Sequence, residues 1–145
     1  MPQLKVKKLT ENAKVPTFAH EGDACFDLYA AESIWINAGK ATPVSTGLAF
    51  EIPEGWEMQI RPRSGLSSKF NITLPNSPAT IDAGYRGEVL VLLTIISSHC
   101  SEYEIHEGDR IAQACLKKVY DTTFEEVDEL GDSERGEGGL GSSGK

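Results

Sequence analysis

The sequence predicts an all-β domain, a sandwich or barrel of short strands, on three observations. Apolar residues alternate with polar ones in short runs, as at Trp56, Met58 and Ile60. Turns bearing glycine or proline interrupt these runs about every 8 to 12 residues. Only one short helix is expected, beginning near Ser64, whose hydroxyl suits it to cap the first turn.

Taken in order, Leu4 and Val6 alternate with Lys5 and Lys7, which reads as a half-solvated strand. After Pro16, the stretch Asp23 to Ala30 turns Phe26, Leu28 and Ala30 inward and Asp27 the other way. A solvated strand position is the plain reading of Asp27. Ile34 and Ile36 alternate next, before a turn at Ala38-Gly39-Lys40. Thr42 to Ile52 is β-rich and stops at Pro53-Glu54-Gly55. Val89 to Ile96 is apolar on both faces, so it reads as a fully buried strand whose outer face a partner subunit covers. Tyr103 and Ile105 alternate with Glu102 and Glu104, Glu107-Gly108-Asp109 turns the chain, and Ile111 to Leu116 is a further strand. Gln113 within it reads first as an edge amide satisfied by backbone. Phe124 to Leu130 is an acidic strand candidate.

The totals narrow the function. A chain of 145 residues fits one domain with a core, and a formal charge of −8 disfavours nucleic-acid or membrane-surface binding. No run approaches the ~18 apolar residues of a membrane-crossing helix, and the first residues lack the apolar stretch of a signal peptide. The three cysteines, Cys25, Cys100 and Cys115, are scattered and odd in number, which favours reduced thiols. A soluble intracellular protein is expected. His20, His99 and His106 show no paired metal spacing.

Chemistry concentrates between Arg61 and Glu88. Arg61-Pro62-Arg63-Ser64-Gly65-Leu66-Ser67-Ser68-Lys69 combines guanidinium charge, a glycine and hydroxyls, the groups a phosphate needs. Asn76 to Glu88 sets one carboxylate, Asp82, in a tight turn at Ala83-Gly84 beside Tyr85. Backbone N–H and C=O groups exposed there can read the edge of a flat polar ring. Together these features suggest a nucleotide enzyme. Because the net charge repels phosphate, local arginines and a divalent cation bound with the substrate are the expected remedy. Arg135 to Lys145 is too glycine-rich for a regular element. Disorder is the plain reading of such a tail. Its arginine, glycines and serines also match a phosphate cradle that orders only over a ligand.

Five segments, Ala24 to Ala31, Arg61 to Lys69, Asn76 to Glu88, Gly108 to Leu116 and Arg135 to Gly144, resemble in order those of the trimeric dUTP pyrophosphatase (dUTPase) family. The resemblance implies a jelly-roll-like β fold over residues 1–130 and a flexible glycine-rich arm over residues 131–145. It also implies a homotrimer whose sites draw the first, second and fourth segments from one chain, the third from another and the arm from the last. By the same resemblance, Asp82 orients and deprotonates the attacking water, and Tyr85 lies against the deoxyribose and excludes a 2′-hydroxyl. A hairpin carrying Ala79, Thr80 and Ile81 pairs with uracil, supported by Asn76. Arg63, Ser64, Gly65 and Gln113 take the phosphates, with Arg135, Gly141, Ser142 and Ser143 closing on the γ-phosphate. Asp27 holds waters of Mg2+, which rides on the triphosphate. The implied reaction turns dUTP into dUMP and pyrophosphate, which removes dUTP and supplies dUMP for thymidylate synthesis. Two departures stand out: Leu140 replaces the usual base-stacking aromatic, and Cys25 and Ala79 replace glycines.

Two other readings compete. A dCTP deaminase-like enzyme shares the fold and trimer but lacks the Arg135 to Gly144 arm. A nucleotide-binding signalling module leaves the set Asp82, Arg63, Ser64 and Gln113 without a use.

Overall fold

A computed structural model describes residues 2–97 and 99–140 of the chain. Among these the strands are β1 (Lys5–Lys8), β2 (Phe26–Tyr29), β3 (Ile34–Asn37), β4 (Thr42–Glu51) and β5 (Trp56–Arg61). Helix α1 (Ser64–Phe70) follows, then β6 (Ile72–Thr73), β7 (Ala79–Ile81), β8 (Glu88–Ile95), β9 (Glu102–Ile105) and β10 (Arg110–Lys118). All named ladders are antiparallel. There are two four-stranded sheets, ordered β1-β4-β8-β6 and β2-β10-β5-β7, and a two-stranded sheet of β3 and β9. The all-β class expected from the period-two runs, and the jelly-roll-like form that the resemblance implies, are what is observed.

The core is built from the inward residues of those runs. Leu28, Val44, Leu48, Met58, Ile60, Val89, Leu93 and Ile111 are all almost wholly buried. Each such side chain is worth about 1.5–3 kcal/mol of transfer free energy. Thr46, also buried, donates its hydroxyl to Val89 O at 2.6 Å, so its polar atom is satisfied inside the β4–β8 pair.

Between Ser45 and Ala49 the β4–β8 register shifts, and Gly47 occupies the irregularity. Its φ of +62° is left-handed, and a Cβ there would lie 2.5 Å from Thr10 Oγ1 and 2.8 Å from Ala13 Cβ. Only glycine fits both demands. The Glu88 carboxylate crosses to this point, accepting from Gly47 N at 2.9 Å and from Ser45 Oγ. The start of β8 is thereby fastened to β4.

Several local expectations change. Ser64 is the first helical residue, not the cap: Arg63 takes that position with φ −90° and ψ 130°, and no side chain caps α1. Extended backbone is the ordinary conformation of a residue at that position. On β8, Val89, Val91 and Leu93 are buried, and Leu90, on the outer face for which a partner's cover is expected, is 47% exposed in the single chain. Phe124 to Leu130 forms no strand; Phe124 and Leu130 are exposed. Four acidic residues sit in that stretch, and no strand among the described residues pairs with it. Segment Ala79 to Tyr85 is not a self-paired hairpin. It is an edge strand, β7, bonded to β5 and followed by a turn closed by Tyr85 N donating to Asp82 O at 3.0 Å.

Leu93→Ala, in the middle of the buried face of β8, is expected to destabilise the fold by about 2–5 kcal/mol. Chemical denaturation of the two chains measures it; a loss below about 1 kcal/mol would contradict the packing described.

Candidate active site

Three strands of one sheet bring the first, second and fourth segments together. Asp27 of β2 stands opposite Gln113 of β10, and Gln113 stands opposite Arg61 of β5. Directly opposed residues share a face, so a carboxylate, an amide and a guanidinium form one row across the sheet. Arg61 turns within its own strand to donate from NH2 to Gln59 Oε1 at 2.8 Å.

Past Arg61 the chain bends through Pro62 so that Arg63 reaches back over the row. Arg63 Nε lies 3.2 Å from Asp27 Oδ1, and Arg110 NH1 lies 3.3 Å from Asp27 Oδ2. Arg63 NH1 also donates to Arg110 O at 3.0 Å. The Asp27 side chain is only 12% exposed, so the solvated reading of this residue does not hold. Gln113 is not an edge amide either, since β10 is an inner strand. Its Nε2 donates to Pro62 O at 2.8 Å, which fixes the bend leading into Arg63. A carboxylate held between two guanidiniums is worth more than an exposed pair, because partial burial weakens solvent screening.

Ser64 and Gly65 are exposed at the start of α1 beside this clasp. With no capping side chain, their N–H groups lack intrahelical acceptors. Arg61, Arg63 and Arg110 thus gather positive charge next to free amide donors, on a chain whose net charge is −8.

The third segment lies apart. Asn76 is exposed in the turn before β7, Ala79 and Ile81 are half-buried, and Thr80 is exposed. β7 is the outermost strand of its sheet, so one side of its backbone has no strand partner among the described residues. Asp82 is exposed, and its carboxylate makes no hydrogen bond or ion pair among the described residues. The pairs Ile60–Ala79 and Met58–Ile81 run antiparallel, so Asp82 is level with Glu57. That is roughly 13 Å along β5 from Arg61, at a rise of about 3.3 Å per residue. Within one chain, carboxylate and clasp are therefore separated.

Tyr85 is 45% exposed and donates its hydroxyl to Glu88 O at 2.9 Å. Its ring lies over Gly87, where a Cβ would sit 2.4 Å from Tyr85 Oη and 2.7 Å from Cζ. Arg86 NH1 donates to Ala83 O at 2.6 Å and to Tyr85 O at 2.9 Å, closing the turn from the other side. The Asp82–Tyr85 geometry is thus fixed by local bonds and by the Glu88 link to β4.

The dUTPase family model matches residues 11–144. The chain belongs to the dUTPase family. It is 47% identical over 144 residues to the deoxyuridine 5'-triphosphate nucleotidohydrolase of Clostridioides difficile, covering 99% of each chain. Among solved structures it is similar to the dUTPase of Staphylococcus bacteriophage 80alpha with dUpNHpp, with a TM-score of 0.88 and 30% identity over 99% of both chains. A mutant dUTPase from phage phi11 of S. aureus, described for its coordination of a structural Mg(II) ion, matches with a TM-score of 0.78. Its identity is 27%, over 88% of this chain and 98% of that one.

For this dUTPase-family chain, the two replaced glycines create no backbone strain. Among the described residues the only non-glycine with positive φ is Asn71, so Cys25 and Ala79 adopt ordinary conformations. In the arm, Arg135 Nε donates to Gly138 O at 2.9 Å and Leu140 is fully exposed. Gly141, Ser142 and Ser143 lie outside the described residues. Arg110, Gly87 and Glu88 were not singled out from sequence. Arg110, two residues after Gly108 in the fourth segment, carried a signal as a cation flanking Gln113; the contact between Tyr85 and Gly87 carried none.

Gly87→Ala is expected to push the Tyr85 ring off its seat and break its bond to Glu88 O, destabilising the chain by about 1–3 kcal/mol. A denaturation curve gives the loss, and a structure of the variant shows the ring. An unmoved tyrosine would overturn the contact.

Proposed function

We propose that this chain hydrolyses dUTP to dUMP and pyrophosphate in a homotrimer whose sites are shared between copies. The observation that carries the reading is the division of labour. Asp27, Gln113, Arg63 and the start of α1 converge in one chain, while Asp82 stands free at a distance on a sheet edge. A second copy that brings its Asp82 against the clasp completes the set. The outer face of β8, with Leu90 exposed, is an apolar surface of the kind such an assembly covers.

In the completed site the chain's residues divide the work. Arg63, with the amides of Ser64 and Gly65, binds phosphoryl oxygens and stabilises charge that builds during displacement. Gln113 keeps the Pro62 bend and Asp27 keeps Arg63, so the donors are set before substrate arrives. Asp82 accepts the proton of a water it aims in line at the α-phosphorus, and its freedom from other partners leaves both oxygens available. The unpaired edge of β7, from Ala79 to Ile81, meets the donor and acceptor edge of uracil, with Asn76 alongside. Cytosine would leave those groups unmatched, at about 1–3 kcal/mol for each. Tyr85, held down on Gly87, presents its ring to the sugar where a 2′-hydroxyl would otherwise lie. The arm, residues 131–145, closes over the triphosphate through Arg135, Gly141, Ser142 and Ser143, with Leu140 covering the base, and excludes bulk water.

Among the described residues no three His, Cys, Asp or Glu side chains are placed to hold a metal ion. Mg2+ would be held mainly by the triphosphate and its waters, and the Asp27 carboxylate would accept hydrogen bonds from those waters. Bound in this way, the cation supplies charge neutralisation at the triphosphate. The dUMP formed is a precursor suited to thymidylate synthesis. Among the described residues no helix is long and apolar enough to cross a membrane.

A pyrophosphate-release assay over the deoxynucleoside triphosphates and UTP, with and without Mg2+, tests the reading. Hydrolysis of dUTP alone is expected, reduced roughly 10²–10⁴-fold in Asp82→Asn; comparable turnover of dCTP or UTP would defeat it. Deleting residues 135–145 is expected to cripple turnover and leave the trimer intact by light scattering. Mixing that truncated chain with Asp82→Asn should restore activity on reassembly. Persistent inactivity of the mixture would rule out sites shared in this manner.

A further inference from the structure

Two thiols that the proposed hydrolysis does not use face one another beside the clasp. Cys25 is half-buried, Cys115 is buried, and both are free. The β2–β10 register pairs Leu28 with Ala112, Asp27 with Gln113 and Phe26 with Ala114, so its next step sets Cys25 opposite Cys115. Asp27 N donates to Thr17 O at 2.8 Å, on the side away from β10. Asp27–Gln113 is therefore a non-hydrogen-bonded pair of this ladder, and by alternation Cys25–Cys115 is another. Such pairs bring Cα atoms to about 4.5 Å with their side chains close. Disulfides span Cα separations of about 4.4–6.8 Å. Continued one step beyond Phe26–Ala114, the ladder therefore gives the two cysteines a backbone spacing that suits a bond between their sulfurs.

We propose that Cys25 and Cys115 are a thiol–disulfide exchange site that closes an intrachain disulfide at the expense of a low-molecular-weight disulfide. The thiolate of Cys25, the more exposed, attacks one sulfur of the small disulfide. A mixed disulfide forms and one small thiolate leaves, taking up a proton. The Cys115 thiolate then attacks the Cys25 sulfur, the protein disulfide forms, and the second small thiol leaves. Two protein thiols are oxidised and one small disulfide is reduced to two thiols. Burial foremost, then the adjacent Cys115, holds the Cys25 thiol above its ordinary range, with Arg61 and Lys117 pulling the other way. The link would lie one step along the same face from Asp27 and Gln113, and it would close most of the chain into one loop.

Prolonged exposure of the full-length protein to oxidised glutathione tests this. The intact mass should fall by two hydrogens per chain, and unreduced peptide mapping should recover Cys25 joined to Cys115. Thermal unfolding of the oxidised protein should shift upward, and dithiothreitol should reverse all three changes. Cys100→Ser should behave as the parent does, whereas Cys25→Ser and Cys115→Ser should each abolish the cross-link. Should the buried Cys115→Ser fail to fold, Cys25→Ser carries the comparison. A glutathione adduct that persists on Cys25 would overturn the proposal. So would a bond to Cys100, a bond between chains, or no reaction.

Discussion

Asp27 caught between Arg63 and Arg110 is the contact on which the site depends. Its oxygens hold two guanidiniums from two other elements, the turn before α1 and the start of β10. No side chain caps the N-terminus of α1, so the position of Arg63 over the sheet is held from outside the helix. The carboxylate does this from β2, and Gln113 secures the Pro62 bend beneath it. If the register of β2 on β10 slipped by one residue, Asp27 would turn into the core and the row would be lost. Core packing enforces that register, since the same slip would expel Leu28.

Electrostatics give this arrangement a second purpose. A chain carrying −8 holds anionic ligands at a distance unless positive charge is focused locally. Three arginines at one end of the sheet do so, and the Asp27 carboxylate neutralises only part of them. Asp82 escapes that neighbourhood by lying on the edge strand. There its carboxylate is exposed and has no hydrogen-bond or ion-pair partner among the described residues of the chain.

The turn after β7 is rigid by different means. Tyr85 rests on Gly87 and bonds to the backbone of Glu88, whose carboxylate reaches the irregular step in β4 at Gly47. Two positions where no side chain fits therefore anchor a segment that is otherwise exposed. The same sheet geometry that aligns Asp27 with Gln113 also aligns the two thiols beside them, so the site and its redox neighbour share one structural cause.

Sequence alone determined the strand class, the inward set of core residues and the segments that carry chemistry, because period-two burial and turn residues are local properties. It also marked Asp27, Gln113, Arg63 and Asp82 as candidates. It misplaced what depends on neighbouring strands and caps: the cap of α1, the strand drawn over Phe124 to Leu130 and the edge position of Gln113. A run of residues does not state which strand lies beside it, and a strand without a ladder is only an extended chain. Only the tertiary structure decided that Arg110 joins Arg63 on Asp27, that Gly87 is the floor beneath Tyr85, and that Asp82 stands away from the clasp. Those relations join residues by register across a sheet, and register is set by how whole strands pack rather than by any one stretch of sequence.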